Sequence, residues 1–310
     1  MSKSMSASKY SKPYYSIEIE ARNLGVQIRV NDIPVFEVDD SGFLNTEVPI
    51  NAFIKSDKNA ISIITYPAFD DEDEQDEEYT EGSLVNVDLY VREDSDSTEK
   101  RQKINSLSIR PSKAYSDGEF DSVAVIDKIV NATDVVNVER DTSTLNFPLY
   151  GVYKKQVMTT WRISDMETPF SQWQWEKGKQ IVDTRDNYQS LLKAYDELHR
   201  AFSQKNLDAI KKISTNRSKE YAEAYYLGSI DAGFEFSALG DYLNHPTAQL
   251  YNQLYTEDTK LEILANEKLA RIIDGAGNQP VVFVDDESGL IHAAQFLWYK
   301  NKHNEWVLIR

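Results

Sequence analysis

The sequence predicts two domains of different class: an N-terminal all-β sandwich or barrel, and a C-terminal α+β domain in which helices precede a curved antiparallel sheet. Three observations predict this. The chain has 310 residues, enough for two separate cores. Up to roughly residue 175, apolar and polar residues alternate at the period of half-buried strands. Near residue 180 the period becomes that of an amphipathic helix, and strand signals return only near the end. The expected boundaries are a Ser/Lys-rich tail over 1–12, a β domain over 13–178 and an α+β domain over 179–310.

In chain order, Tyr15, Ile17 and Ile19 alternate with Ser16, Glu18 and Glu20, the pattern of a strand with one face in a core. Val26, Ile28 and Val30 repeat it. Asn31-Asp32 supplies a turn before a strand over 33–38, and Asp40-Ser41-Gly42 supplies the next turn. Strands are expected over 60–66, 84–91, 104–110, 123–129 and 157–163. Short strands at this spacing read as a sandwich or barrel.

Residues 70–81 interrupt the alternation. Asp70, Asp71, Glu72, Asp73, Glu74, Asp76, Glu77, Glu78 and Glu81 put nine carboxylates into twelve positions. Such a run buries nothing and repels itself, so a solvated loop between strands is expected. As a calcium loop starting at Asp70 it would place Gln75 where an EF-hand has glycine. The chain's net charge is −17. Residues 1–180 hold 20 basic and 32 acidic side chains, residues 181–310 hold 14 and 19, so most of the excess sits in the β domain and chiefly in this run. That charge argues against nucleic acid or an anionic membrane and for a basic protein partner.

In the second domain Tyr188, Leu191, Leu192, Tyr195, Leu198 and Phe202 share one face of a helix. Asp183, Thr184 or Asp186 caps it. Shorter helices are expected over 207–213 and 218–227, with Gly228 as a stop. Strands are expected over 261–273, 281–284, 291–299 and 306–309, separated by turns at 275–278, 286–289 and 301–304. The opening helix, the segment Ala201-Phe202-Ser203-Gln204-Lys205-Asn206-Leu207-Asp208-Ala209-Ile210 with its small break and second short helix, the strand-rich tail and the closing Trp306-Val307-Leu308-Ile309 together resemble the NTF2-like superfamily, which includes ketosteroid-isomerase-like members. The resemblance covers the C-terminal half. It implies a cone of helices packed into a curved sheet, a scaffold that serves enzymes, protein-binding modules and immunity proteins. No catalytic residue carries over from it.

Cysteine is absent, so disulfides, Cys-ligated metal and thiol catalysis are excluded. The N-terminal residues lack the apolar stretch of a leader peptide, and no apolar run approaches the ~18 residues of a membrane span. A cytoplasmic setting is expected. Of the four histidines none pairs at zincin spacing, and no metal or cofactor is expected. Gly275-Ala276-Gly277-Asn278 lacks the Lys-Ser/Thr of a phosphate loop, and no Gly-x-Ser-x-Gly elbow occurs. No catalytic residues are assigned.

The expectation is a non-catalytic cytoplasmic binding protein, a bacterial immunity protein that occludes a basic toxin or effector domain. The nine carboxylates of the run, with Trp173 and Trp175, are the expected contacts. One alternative is an NTF2-like isomerase, hydratase or cyclase acting on a small apolar substrate, with His292 as base and Tyr225 and Tyr242 lining its pocket. Another is an adaptor or glycan-binding scaffold built on the β domain.

Overall fold

Alternation becomes sheet wherever its apolar face finds a partner sheet. A computed structural model of the chain describes residues 10–38, 42–56, 58–68, 79–110, 168–275, 277–285, 287 and 295–310, with backbone-only strands between 115 and 164 and at 291–292. The first compact unit takes in the described residues up to Ser171, and the second runs from Gln172 to Arg310.

In the first unit the strands are β1 (Pro13–Arg22), β2 (Gly25–Val30), β3 (Ile33–Val38), β4 (Phe43–Pro49), β5 (Asn59–Tyr66), β6 (Leu84–Glu93), β7 (Gln102–Arg110), β8 (Tyr115–Ser116), β9 (Glu119–Phe120), β10 (Ala124–Ile126), β11 (Asn137–Thr144) and β12 (Val157–Ser164). Two five-stranded sheets form, ordered β10-β7-β6-β1-β4 and β11-β12-β5-β2-β3, while β8 and β9 pair with each other. Ile17 and Ile19 of β1, Val85 and Val87 of β6, Val26 and Ile28 of β2 and Ile61 and Ile63 of β5 share one core. Each such side chain contributes roughly 1.5–3 kcal/mol on burial. Asn31 and Asp32 both adopt positive φ, +54° and +66°, as a two-residue hairpin turn demands. Gly25 is required by a close approach: a Cβ there would lie 1.8 Å from the Tyr66 ring. The buried Asn51 side chain accepts from the Tyr15 N–H at 2.7 Å and donates to the Pro13 carbonyl at 3.0 Å, holding the start of β1.

The second unit contains α1 (Arg185–Ser203), α2 (Leu207–Ile213), α3 (Thr215–Ala224), α4 (Ile230–Phe236) and α5 (Asp241–Asn244). Its strands are β13 (Ala248–Leu250), β14 (Lys260–Leu264), β15 (Leu269–Ile273), β16 (Phe283–Asp285), β17 (Ile291–His292), β18 (Trp298–Lys300) and β19 (Trp306–Leu308). They form two antiparallel sheets, β14-β15-β18-β19 and β13-β16-β17. Thr184 caps α1, its hydroxyl accepting from the Asn187 N–H at 3.2 Å. Leu191, Tyr195, Leu198 and Phe202 of α1 share a core with Ile272, Phe283, Phe296, Trp298 and Leu308.

Two expectations change. The strand expected over 261–273 is a hairpin, β14 antiparallel to β15 with Leu264 opposite Leu269. Ala265, Asn266 and Glu267 take positive φ at its tip, and no Gly or Pro announced the turn. The strand expected over 291–299 divides into β17 and β18, which belong to different sheets. The second unit takes in the segment from Gln172 to α1, which is stitched to the rest of that unit. Gln174 N–H donates to Glu220 Oε1 at 2.8 Å, Lys179 N–H to the Lys300 carbonyl at 2.9 Å, and Ile181 N–H to the Glu267 carbonyl at 2.8 Å.

Candidate functional site

The outward face of the sheet β10-β7-β6-β1-β4 carries the candidate site. Alternation sends Ile17, Ile19 and Ala21 inward and Glu18 and Glu20 outward on β1. Register then decides what those carboxylates meet. Glu18 stands opposite Glu47 of β4 on one side and opposite Asp88 of β6 on the other. Glu20 stands opposite Asn45 and Asn86, and β7 extends the two rows with Ser106 and Ser108. Directly opposed side chains in a sheet sit roughly 4.5–5.5 Å apart at Cβ, and like charges there destabilise.

Cations offset this at one end of the row. Arg101 reaches Glu18 at 2.9 Å and Glu47 at 2.6 Å, and Lys103 reaches Asp88 at 2.5 Å. Burial pulls the Lys103 ammonium down, but its hydrogen bond to Asp88 and the Asp88 charge outweigh this and hold it above the ordinary lysine value. Arg101 is likewise pulled down by burial and raised beyond it by Glu18 and Glu47. At the other end Glu20 accepts from Asn86 Nδ2 at 3.0 Å, and its cation, Arg22, stays 3.9 Å away. Between them lies a hollow of about 440 Å³ lined by Glu18, Glu20, Asp88, Asn45, Asn86 and Arg110, with the two serines. It is a polar trough with carboxylates in excess, suited to a cationic or polyhydroxylated group.

The residues singled out in the sequence fall elsewhere. Asp70, Asp71, Glu72, Asp73, Glu74, Asp76, Glu77 and Glu78 lie outside the described residues. Glu81 is exposed in the turn before β6, and Tyr79 just before it is buried, its hydroxyl 3.1 Å from Thr65 Oγ1. Trp173 and Trp175 are 2% and 1% exposed. They offer no contact surface in this conformation, because the segment that carries them is folded into the second unit, with Arg310 over the Trp173 ring at 5.6 Å. Tyr225 stacks on Phe236 at 4.4 Å and Tyr242 on Phe283 at 4.3 Å. His292 pairs by backbone with Phe283, and its side chain lies outside the described residues.

The space between α1 and the sheets is filled by Tyr195, Phe202, Phe296 and Trp298. Burial pushes the Tyr195 hydroxyl far above the usual tyrosine value, and it bonds to Gln279 Oε1 at 2.5 Å and the Phe296 carbonyl at 3.1 Å. A smaller hollow of about 330 Å³ opens beside Phe202, Tyr242, His245, Leu250 and Phe283. His245 Nδ1 is occupied there by the Ala248 N–H at 2.8 Å, and His199 Nε2 lies 2.9 Å from the Tyr251 carbonyl. Among the described residues no three His, Asp or Glu side chains converge as a metal site, and no helix is long and apolar enough to cross a membrane.

The outward positions of Glu18 and Glu20 are readable from alternation. Their meeting with Glu47 and Asp88 is not, because it depends on the register of strands far apart in the chain. Compared with protein-family models, with curated proteins and with solved structures, the chain matches none of them.

Proposed function

We propose that this is a non-catalytic binding protein that holds a basic protein partner, in the manner of an immunity protein occluding a toxin or effector domain. The observation that carries the reading is the carboxylate row itself: Glu18 between Glu47 and Asp88, facing solvent over a hollow of about 440 Å³. Arg101 and Lys103 offset the repulsion at one end of the row. A cationic side chain entering the hollow would pair with the charge they leave, Glu20 foremost, whose contact with Arg22 is 3.9 Å. The net charge of −17 supports steering of such a partner, which acts on association rate more than on affinity. The run at 70–81 serves that steering, and the sheet face makes the lasting contact. A cytoplasmic setting accords with the cysteine-free chain.

We further infer that the second unit is a variant of the NTF2-like cone. The packing of α1 against strands of both antiparallel sheets supports this. Its filled interior favours a scaffold over an enzyme.

The test is affinity capture from host lysate at low and high salt, comparing the native chain with E18Q/E20Q. The reading expects one stoichiometric basic protein, toxic when expressed alone, retained by the native chain and lost by the variant and at high salt. Equal recovery by a folded E18Q/E20Q chain contradicts the sheet face as the contact.

A further inference from the structure

Among the described residues β4 is the outer strand of its sheet, with β1 on one side of it. The phase of that pairing fixes where its main-chain groups point. Ile50 N–H donates to the Tyr15 carbonyl at 3.0 Å, and Asn23 N–H donates to the Gly42 carbonyl at 3.3 Å. Bonded and non-bonded pairs alternate along an antiparallel ladder. The register between these two ends is unbroken, so Ile17–Val48, Ile19–Thr46 and Ala21–Leu44 are the bonded pairs. The N–H and C=O groups of Phe43, Asn45 and Glu47 therefore turn away from β1, toward the outer edge. All three residues are exposed.

Natural sheets blunt such an edge with lysine, proline or a bulge. The outer strand of the other sheet, β3, does so: it carries Pro34, and its pairing with β2 shifts at Ile28/Arg29. β4 has none of these before Pro49 at its end, and its one charged residue is Glu47. Its two faces also differ. Leu44 and Val48 are half-buried at the margin of the core. On the outward face Phe43 is 60% exposed, Glu47 stands beside Glu18, and Asn45 stands beside Glu20.

We propose that β4 accepts an extended segment of the basic partner as an added antiparallel strand, with basic side chains on the outward face and apolar ones on the core side. This rests on the basic partner proposed above and says how it is held. Main-chain bonds to Phe43, Asn45 and Glu47 would supply the affinity, as strand addition does elsewhere. Charge complementarity selects the occupant. An arginine opposite Asn45 would extend over it toward Glu20, which meets a cation only at 3.9 Å among the described residues, in Arg22. Apolar side chains on the other face would cover Leu44 and Val48. A second copy of the chain fits worse. Two β4 edges paired about Asn45 would set Phe43 against Glu47 twice and join two chains of net charge −17.

The test uses the full-length protein and the peptide acetyl-Val-Arg-Val-Arg-Val-Arg-Val-amide, with affinity read by calorimetry at low salt and main-chain protection by hydrogen exchange. In the proposed pairing the arginine N–H groups of the peptide face β4 and the valine N–H groups face away. Methylating the arginine main-chain nitrogens is therefore expected to weaken binding by about tenfold or more, and methylating the valine ones to weaken it much less. The unmethylated peptide is expected to slow amide exchange at Phe43, Asn45 and Glu47. If valine methylation weakens binding as much as arginine methylation, or those three amides gain no protection, the added strand is overturned while the basic partner stands. If neither this peptide nor hexa-arginine binds, the partner reading is overturned and the added strand with it.

Discussion

Glu18 and Asp88 stand directly opposite each other on β1 and β6, carboxylate facing carboxylate in the interior of a five-stranded sheet. Lys103 on β7 bonds to Asp88 and Arg101 to Glu18, so the pair holds only while those cations are in place. K103M is therefore expected to cost about 1 kcal/mol in urea unfolding. In an E18Q background the same change should cost clearly less, since the opposed charge is gone. Equal costs in both backgrounds would show that the two carboxylates do not feel each other.

Among the described residues Glu20 accepts from the Asn86 amide at 3.0 Å and meets a cation only at 3.9 Å, in Arg22. E20Q should leave stability within about 0.5 kcal/mol of native while weakening partner capture. A variant that loses stability and binding together would assign Glu20 to folding instead.

Asn51 ties down β1 through two buried hydrogen bonds, from the Tyr15 N–H and to the Pro13 carbonyl. N51A removes both of these hydrogen bonds. A loss of about 2–4 kcal/mol is expected in chemical denaturation, with hydrogen-exchange protection falling first at Tyr15.

Gly25 and Tyr66 occupy each other's space. G25A should cost about 1–3 kcal/mol by overpacking. In a Y66A background the added methyl should cost little, giving a coupling of about 1 kcal/mol or more. Additive costs would mean that the ring moves aside freely.

Tyr195 is expected to contribute to the alkaline limit of stability. Burial raises its pKa far above the unfolded value of about 10. Its contribution is complete below that unfolded value and is lost progressively as pH rises toward the folded one, because only the unfolded chain then releases the proton. Melting temperature should fall from about pH 10 upward, and Y195F should flatten that fall. An unchanged slope in Y195F would place the alkaline limit on other groups, such as the Lys103–Asp88 pair.

How much of this was legible follows from what each element depends on. The β1, β2 and β3 hairpin region is written locally: alternation sets the faces, and Asn31-Asp32 sets the turn. α1 is equally local, with its apolar stripe and the Thr184 cap. The β14–β15 turn was invisible because Ala265 and Glu267 take left-handed backbone without glycine, held by the pairing on either side. β4 carries no clear strand signal, since its residues face solvent by turns and none is fully buried. The sites were less legible still. Trp173 and Trp175 looked like contact aromatics but are interior, and aromatic content alone does not distinguish the two. The Glu47–Glu18–Asp88 row joins residues from distant segments. No spacing rule announces it.

In the proposed function the sheet face holds the partner while the acidic run steers it. The most direct measurement is the association and dissociation kinetics of a hexa-arginine peptide on three chains: native, E18Q/E20Q, and one with the nine run carboxylates replaced by Ser and Gln. The account predicts that the run variant slows association with dissociation unchanged, and that E18Q/E20Q speeds dissociation by about tenfold. Unchanged dissociation from a folded E18Q/E20Q chain, with binding lost in the run variant, would contradict it.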